Sequence, residues 1–197
     1  MHTVTKIAST LTALTLLGTA VPAVAGNIAG AIGLTQVSAS VSDPDGSTGD
    51  DSQSSASLIL TYNIDSQWRV WVDVAQYELD LEYGQSKIGQ HVETLQVDTI
   101  LQRAFPLGSF VYGWIGGGVG IGFSDYTERA KTLDTGHIDP DNKFKDRDET
   151  NYHAIVNAGI LRGLNKNVTL GANLKHQITL NDGIDATSLT GYVSYQF

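Results

Sequence analysis

An all-β fold, an eight-stranded antiparallel up-and-down transmembrane β-barrel, is the architecture that this 197-residue sequence predicts. Three observations carry the expectation. The final strand alternates apolar and polar residues up to the terminal carboxylate. Segments of about ten residues with the same period of two recur along the chain, separated by turn residues. The connections between these segments alternate between short and long, as barrels with one short-turn end and one long-loop end require.

The N-terminus frames the domain. Met1 to Lys6 carries one cation, and an acid-free run, IASTLTALTLLGTAVPAVA, follows from Ile7 to Ala25. A cationic start, an apolar centre and Ala23 and Ala25 in an A-x-A pattern read as a secretory signal peptide over 1–25, cleaved after Ala25. Gly18 and Pro22 interrupt the run, and it is too poor in strongly apolar residues to span a bilayer as a helix. Residues 26–197 are then expected to form one barrel domain. The chain has no Cys, so neither a lipid anchor at the cleavage site nor disulfide stapling is available.

Strand one is expected over Ile28–Val41. Its apolar parity shifts from Ile28, Ile32 and Leu34 to Val37, Ala39 and Val41, which predicts a bulge near Thr35 and Gln36. Strand two, Ala56–Ile64, points Leu58, Leu60 and Tyr62 outward, with Ile59 as an exception. Strand three, Arg69–Leu81, points Val70, Val72 and Val74 outward, after which Tyr77, Leu79 and Leu81 form the apolar set. Strand four, His91–Phe105, sets Leu95, Val97 and Leu101 against Gln96, Asp98 and Gln102. Strand five, Ser109–Phe123, sets Ile115, Val119 and Phe123 against Tyr112, Trp114 and a row of glycines. Strand six, Asn151–Leu161, is apolar on both faces and its parity is open. Strand seven, Asn167–Thr179, sets Val168, Leu170 and Leu174 outward against Thr169, Asn173, Lys175 and Gln177. Short turns are expected near Ile64–Gln67, Pro106–Gly108 and Asn165–Asn167, and longer polar loops over Ser42–Ser55, Glu82–Gln90, Ser124–Thr150 and Leu180–Ile184.

Strand eight, Ser188–Phe197, places Leu189, Val193, Tyr195 and Phe197 on one face. A terminal strand ending in aromatic-x-Phe resembles the C-terminal signature of bacterial outer-membrane β-barrel proteins. That resemblance implies that Val193, Tyr195 and Phe197 form an assembly signal read by the barrel-assembly machinery. Together with the strand count, the chain resembles the OmpA/OmpX-type small outer-membrane proteins, which implies a Gram-negative cell-surface address and outer-membrane lipids and lipopolysaccharide as surroundings. A monomer is expected.

An eight-stranded barrel is just wide enough for side chains to fill it. The inward set includes Arg69, Trp71, Asp73, Gln96, Asp98, Gln102, Tyr112, Trp114, Asn157, Lys175, Gln177 and Tyr192. Buried charges need partners, so Asp73 and Asp98 are expected to pair with Arg69 or Lys175, with Lys175–Asp98 better matched in height. Such an interior reads as a plug in preference to a porin-like conduit.

No catalytic, cofactor or metal site is expected. The run Gly116–Gly122 precedes no helix, so it lacks the context of a phosphate-binding loop and reads as sharp bending or close approach of bulky neighbours. Small lipid A deacylases are similar in size and carry a His on the penultimate strand, and the resemblance implies a His-x-Ser signature. Here the segment is His176-Gln177-Ile178-Thr179, without the Ser, and His176 lies on the outward parity. The net charge of −9 argues against nucleic acid. Asp43-Pro44-Asp45-Gly46 and Asp139-Pro140-Asp141-Asn142 resemble fragments of Ca²⁺ loops but lack the full ligand spacing. The expected role is structural or surface-interacting, through acidic extracellular loops. A narrow pore and a lipid A-modifying enzyme are the alternatives.

Overall fold

The computed structural model describes residues 28–42, 48–83, 88–128, 147–181 and 184–197. The expected signal peptide lies outside them, as do both Ca²⁺-loop fragments. Eight antiparallel strands form a closed barrel in sequence order: β1 (Ile28–Ser42), β2 (Thr48–Asn63), β3 (Trp68–Tyr83), β4 (Ile88–Pro106), β5 (Val111–Glu128), β6 (Arg147–Gly163), β7 (Val168–Thr179) and β8 (Asp185–Gln196). β8 pairs back onto β1 with Val193 opposite Ile32, so no sheet edge is left open along that seam.

At one end the chain turns tightly. Asp65 Oδ1 accepts the amides of Gln67 at 2.7 Å and Trp68 at 2.8 Å. Asn165 Oδ1 does the same for Asn167 at 2.9 Å and Val168 at 2.8 Å. In both turns an amide bonds the carbonyl four residues on and closes the hairpin: Ile64 N donates to Trp68 O and Leu164 N to Val168 O, each at 2.9 Å. A short Asx side chain that mimics the backbone is why Asp and Asn stand at these positions.

The ladders run further than alternation suggests. β2 begins at Thr48, so most of the expected loop Ser42–Ser55 is strand. Likewise β5 ends at Glu128 and β6 starts at Arg147, leaving 129–146 as the connection. The first two expected loops shrink to 43–47 and 84–87. The cause is physical. Apolar–polar alternation reports contact with lipid, whereas the hydrogen-bond ladder continues above it. There the outward residues are polar as well, as where Gln36 on β1 bonds Ser52 and Ser54 on β2 from the outer face.

The outer surface has a belt of exposed apolar residues, among them Ile32, Leu60, Leu101, Ile115, Val156, Leu174 and Val193. Leu170, at 48% exposure, shares this face, but it stands opposite Arg162 in the ladder and so lies near the edge of the belt. Tyr62, Trp68, Phe105, Phe110, Tyr195 and Phe197 gather at the short-turn end, where amphipathic rings suit a membrane interface.

The expected bulge in β1 and the parity drift in β3 are absent. Pairing of β1 with β2 runs without interruption through Thr35 and Gln36. Val37, Ala39 and Leu79 keep inward parity and pack inside the barrel with Val92, Tyr126 and Ala186. The hydrophobic residues that suggested a shift are an apolar layer of the interior. Ile59 is not an exception either, because it is fully buried in a second apolar layer with Ala31, Trp71, Ile100, Ile155 and Tyr192.

Candidate functional site: the charge cluster inside the barrel

Reading up β3 and β4 from the turn end, register fixes the order of the interior. Arg69 faces Gln102, then Trp71 faces Ile100, Asp73 faces Asp98, Ala75 faces Gln96, Tyr77 faces Thr94 and Leu79 faces Val92. A polar and charged zone is therefore held between two apolar layers. Within it, two carboxylates stand directly opposite each other on neighbouring strands, an arrangement that is destabilising by itself.

Lys175 resolves it. Reaching inward from β7, its Nζ lies 2.9 Å from Asp73 Oδ2 and also donates to Asp98 Oδ2. His153 on β6 brings Nε2 to 2.8 Å from Asp98 Oδ1, and Gln96 Nε2 donates to Asp98 Oδ2 at 2.5 Å. All five side chains are buried. The expected pair of Lys175 with Asp98 is present, and because register sets Asp73 and Asp98 at one level Lys175 contacts Asp73 as well.

Arg69 sits apart from this cluster, one apolar layer nearer the turns. Its Nε donates to Gln102 Oε1 at 2.5 Å. Its guanidinium lies 3.7 Å from the Trp114 ring centroid and 5.1 Å from that of Trp71, a cation–π seat in place of an acidic partner. Trp71 in turn meets Tyr192 edge-on at 5.0 Å. Tyr112 has inward parity but is 42% exposed at the barrel mouth.

His153 was not singled out from sequence. The signal is present in the sequence: Asn157 is expected inward, and His153 lies four residues before it on the same strand, hence on the same face. The glycines of β5 also belong to this site. A Cβ on Gly120 would lie 2.1 Å from Asp98 Oδ1 and 2.2 Å from His153 Nε2. Glycine there is the space in which the acid and the imidazole meet, the close-approach role expected from the run. Gly120→Ala is therefore expected to destabilise the barrel by about 1–3 kcal/mol, the usual range for overpacking. Gly117→Ala, whose Cβ meets only Ile155 O at 3.5 Å, is expected to be close to neutral. Urea unfolding in detergent micelles compares the two, and equal stability would mean that β5 yields around the cluster.

Above the cluster lies a polar cavity of about 20 Å³, lined by Tyr77, Thr94, Gln96, Ser124, Asn151 and His153 among others. That is room for roughly one water. His176 faces outward and shares a hydrogen bond with Thr187 Oγ1 at 2.9 Å, while Asp185 Oδ1 accepts the Thr179 amide at 2.7 Å. At the outer end of the β5–β6 pair a shallow groove of about 240 Å³ runs over Phe123, Ser124, Asp125, Asp148, Glu149 and Thr150.

Comparison with known proteins places this geometry. Residues 11–197 match the family described as outer membrane protein beta-barrel domain. No curated protein matches the sequence. Among solved structures, the chain is similar to OprG from Pseudomonas aeruginosa, with a TM-score of 0.63 and 15% identity over 88% of this chain and 96% of that one. It is similar to Neisserial surface protein A, with a TM-score of 0.55 and 16% identity over 86% and 99%. It is also similar to Ail of Yersinia pestis, determined in complex with the heparin analogue sucrose octasulfate, with a TM-score of 0.53 and 14% identity over 87% and 100%. At these identities the likeness concerns the fold.

Proposed function

This chain belongs to the outer membrane protein β-barrel domain family of the bacterial outer membrane, and from that premise we propose that it is a closed structural barrel whose acidic extracellular end is a contact surface. The observation that carries the reading is the filled interior. Trp71, Ile59 and Ile100 in one layer, Lys175 with Asp73 and Asp98 in the next, and Leu79 and Val92 above them are each almost without solvent exposure. A pore would need a continuous wet path through these layers, whereas the cavity among them has room for about one water.

The contact surface follows from charge. On the outer face beyond the lipid belt, Glu78, Glu93, Asp125 and Asp148 stand opposite one another in turn across β3, β4, β5 and β6. This rim favours a cationic partner, such as a basic protein segment, over a polyanion of the kind bound by Ail. Attraction of this type weakens as salt screens it. The reading also favours binding over catalysis, because Ile178 stands where a His-x-Ser signature would carry its serine.

Two measurements on the folded protein test the proposal. In planar bilayers, no sustained single-channel conductance above the lipid baseline is expected. On liposomes carrying the protein, a fluorescent oligolysine is expected to bind in a salt-sensitive way, and Asp125→Asn with Asp148→Asn is expected to reduce that binding severalfold. Stable conductance that changes ion selectivity with Asp98→Asn would replace this reading with a pore. Oligolysine binding indifferent to both salt and the double variant would remove the contact surface.

A further inference from the structure

The outer wall of β3 and β4 holds a second group of titratable side chains that plays no part in the interior cluster or in barrel closure. On β4, His91 and Glu93 have the same outward parity. On β3, Glu78 stands opposite Glu93 and Asp80 opposite His91. One ligand atom each from Glu78, His91 and Glu93 can be chosen so that all lie within 4.8 Å of one another. The group lies just beyond the apolar belt. Leu95, two residues below Glu93 on β4, is an exposed apolar residue beside Phe123 of β5.

A fourth residue decides what the imidazole presents. Asp80 Oδ1 lies 2.7 Å from His91 Nδ1. A carboxylate only accepts, so Nδ1 carries the proton and the other ring nitrogen is left to face the carboxylates, with Nε2 3.7 Å from Glu93 Oε1. A carboxylate that holds the remote nitrogen of a histidine, fixing its tautomer and ring orientation, is the usual outer-shell support of a metal-bound imidazole. Three ligands on two paired strands are also rigidly spaced, because the ladder sets their separation rather than a loop.

We propose that Glu78, His91 and Glu93 bind a divalent transition-metal ion of the Zn²⁺ class at the outer face of the barrel, with Asp80 as the positioning residue for His91. The chemistry selects the metal class. An imidazole nitrogen with two carboxylate oxygens suits Zn²⁺ and its neighbours, whereas Ca²⁺ and Mg²⁺ take oxygen ligands. Ligand bonds of about 2.0–2.2 Å require the three donor atoms to draw closer together than the 4.8 Å within which they lie. Three protein ligands leave the remaining coordination positions to water. Binding takes an unprotonated Nε2.

The experiment uses the full-length folded protein in detergent micelles, titrated with ZnCl₂ by calorimetry and followed by the imidazole C–H resonances of His91. One equivalent of Zn²⁺ is expected to bind and to shift those resonances. His91→Gln is expected to weaken binding at least tenfold. Asp80→Asn, which leaves all three ligands in place, is expected to weaken it roughly 10–100-fold, as outer-shell changes do. CaCl₂ is expected to leave the His91 resonances in place. Two results would overturn the assignment. One is Zn²⁺ binding unchanged in His91→Gln, which would locate the metal on another histidine. The other is equal affinity for Ca²⁺ and Zn²⁺, which would reduce the group to a non-selective acidic surface. A folded His91→Gln barrel, checked by heat-modifiable gel mobility, keeps the comparison free of misfolding.

Discussion

Replacing Lys175 with methionine is expected to cost the barrel about 3–5 kcal/mol, the range for a buried charge group deprived of one partner. The size follows from register. Asp73 and Asp98 face each other across β3 and β4, and Lys175 Nζ reaches both. Without it, two carboxylates are left together in a zone closed by apolar layers on either side, with His153 beside only one of them. A variant that also carries Asp98→Asn is expected to regain part of the loss, because it removes one of the two stranded charges. Urea unfolding of the single and double variants in bilayers gives the coupling energy, expected to lie toward the upper end of the 0.5–3 kcal/mol typical of contacting residues. Coupling indistinguishable from zero would mean that Lys175 and Asp98 act independently, and the cluster would then not be what holds the lumen shut.

The second large effect concerns Phe197. Its removal is expected to abolish most of the membrane-inserted, heat-modifiable species in cells while leaving refolding into detergent nearly intact. The local contacts explain the asymmetry. Phe197 N donates to Ile28 O at 3.1 Å and so extends the β8–β1 seam by one bond. Its ring stacks edge-on with Tyr195 at 5.4 Å yet is 58% exposed on the outer face. One backbone bond of about 0.5–1.5 kcal/mol and a half-exposed ring cannot by themselves carry the stability of a barrel closed by a whole strand. A severe defect in cells therefore belongs to the assembly step, where Val193, Tyr195 and Phe197 present one apolar face of a terminal strand. Normal insertion of the truncated chain would take the assembly role away from this residue. Equal failure in cells and in detergent would turn it into a purely structural one.

How far the interior could be read depended on the strand. On β7 the alternation is unbroken, and Asn173, Lys175 and Gln177 are all buried between exposed Leu174, His176 and Ile178. On β1 and β3 it misleads, because alternation separates lipid from lumen cleanly only where the lumen is polar. Where the lumen itself turns apolar, at Val37 and Leu79, the pattern looks like a shift in parity although the chain has not moved. On β6 both faces read as apolar, which concealed His153. The Asp98–Gly120–His153 meeting place needed three strands in known register before a glycine could be seen as the room that two polar side chains occupy.

Period-two alternation is a local record of which side chains touch lipid. The sequence alone therefore determined that eight segments cross, that they do so as strands, and that the last ends in an outward aromatic face. Register and closure are properties of the whole sheet. They fix which residues on strands far apart in sequence share a level inside the barrel. Only the tertiary structure decided that Asp73 would face Asp98, that Lys175 would bridge the two from β7, and that Arg69 would rest on tryptophan rings instead of on either acid. The same holds on the outer wall, where His91 and Glu93 come from one strand and Glu78 and Asp80 from its neighbour. Their meeting depends on an offset between strands that no single strand encodes.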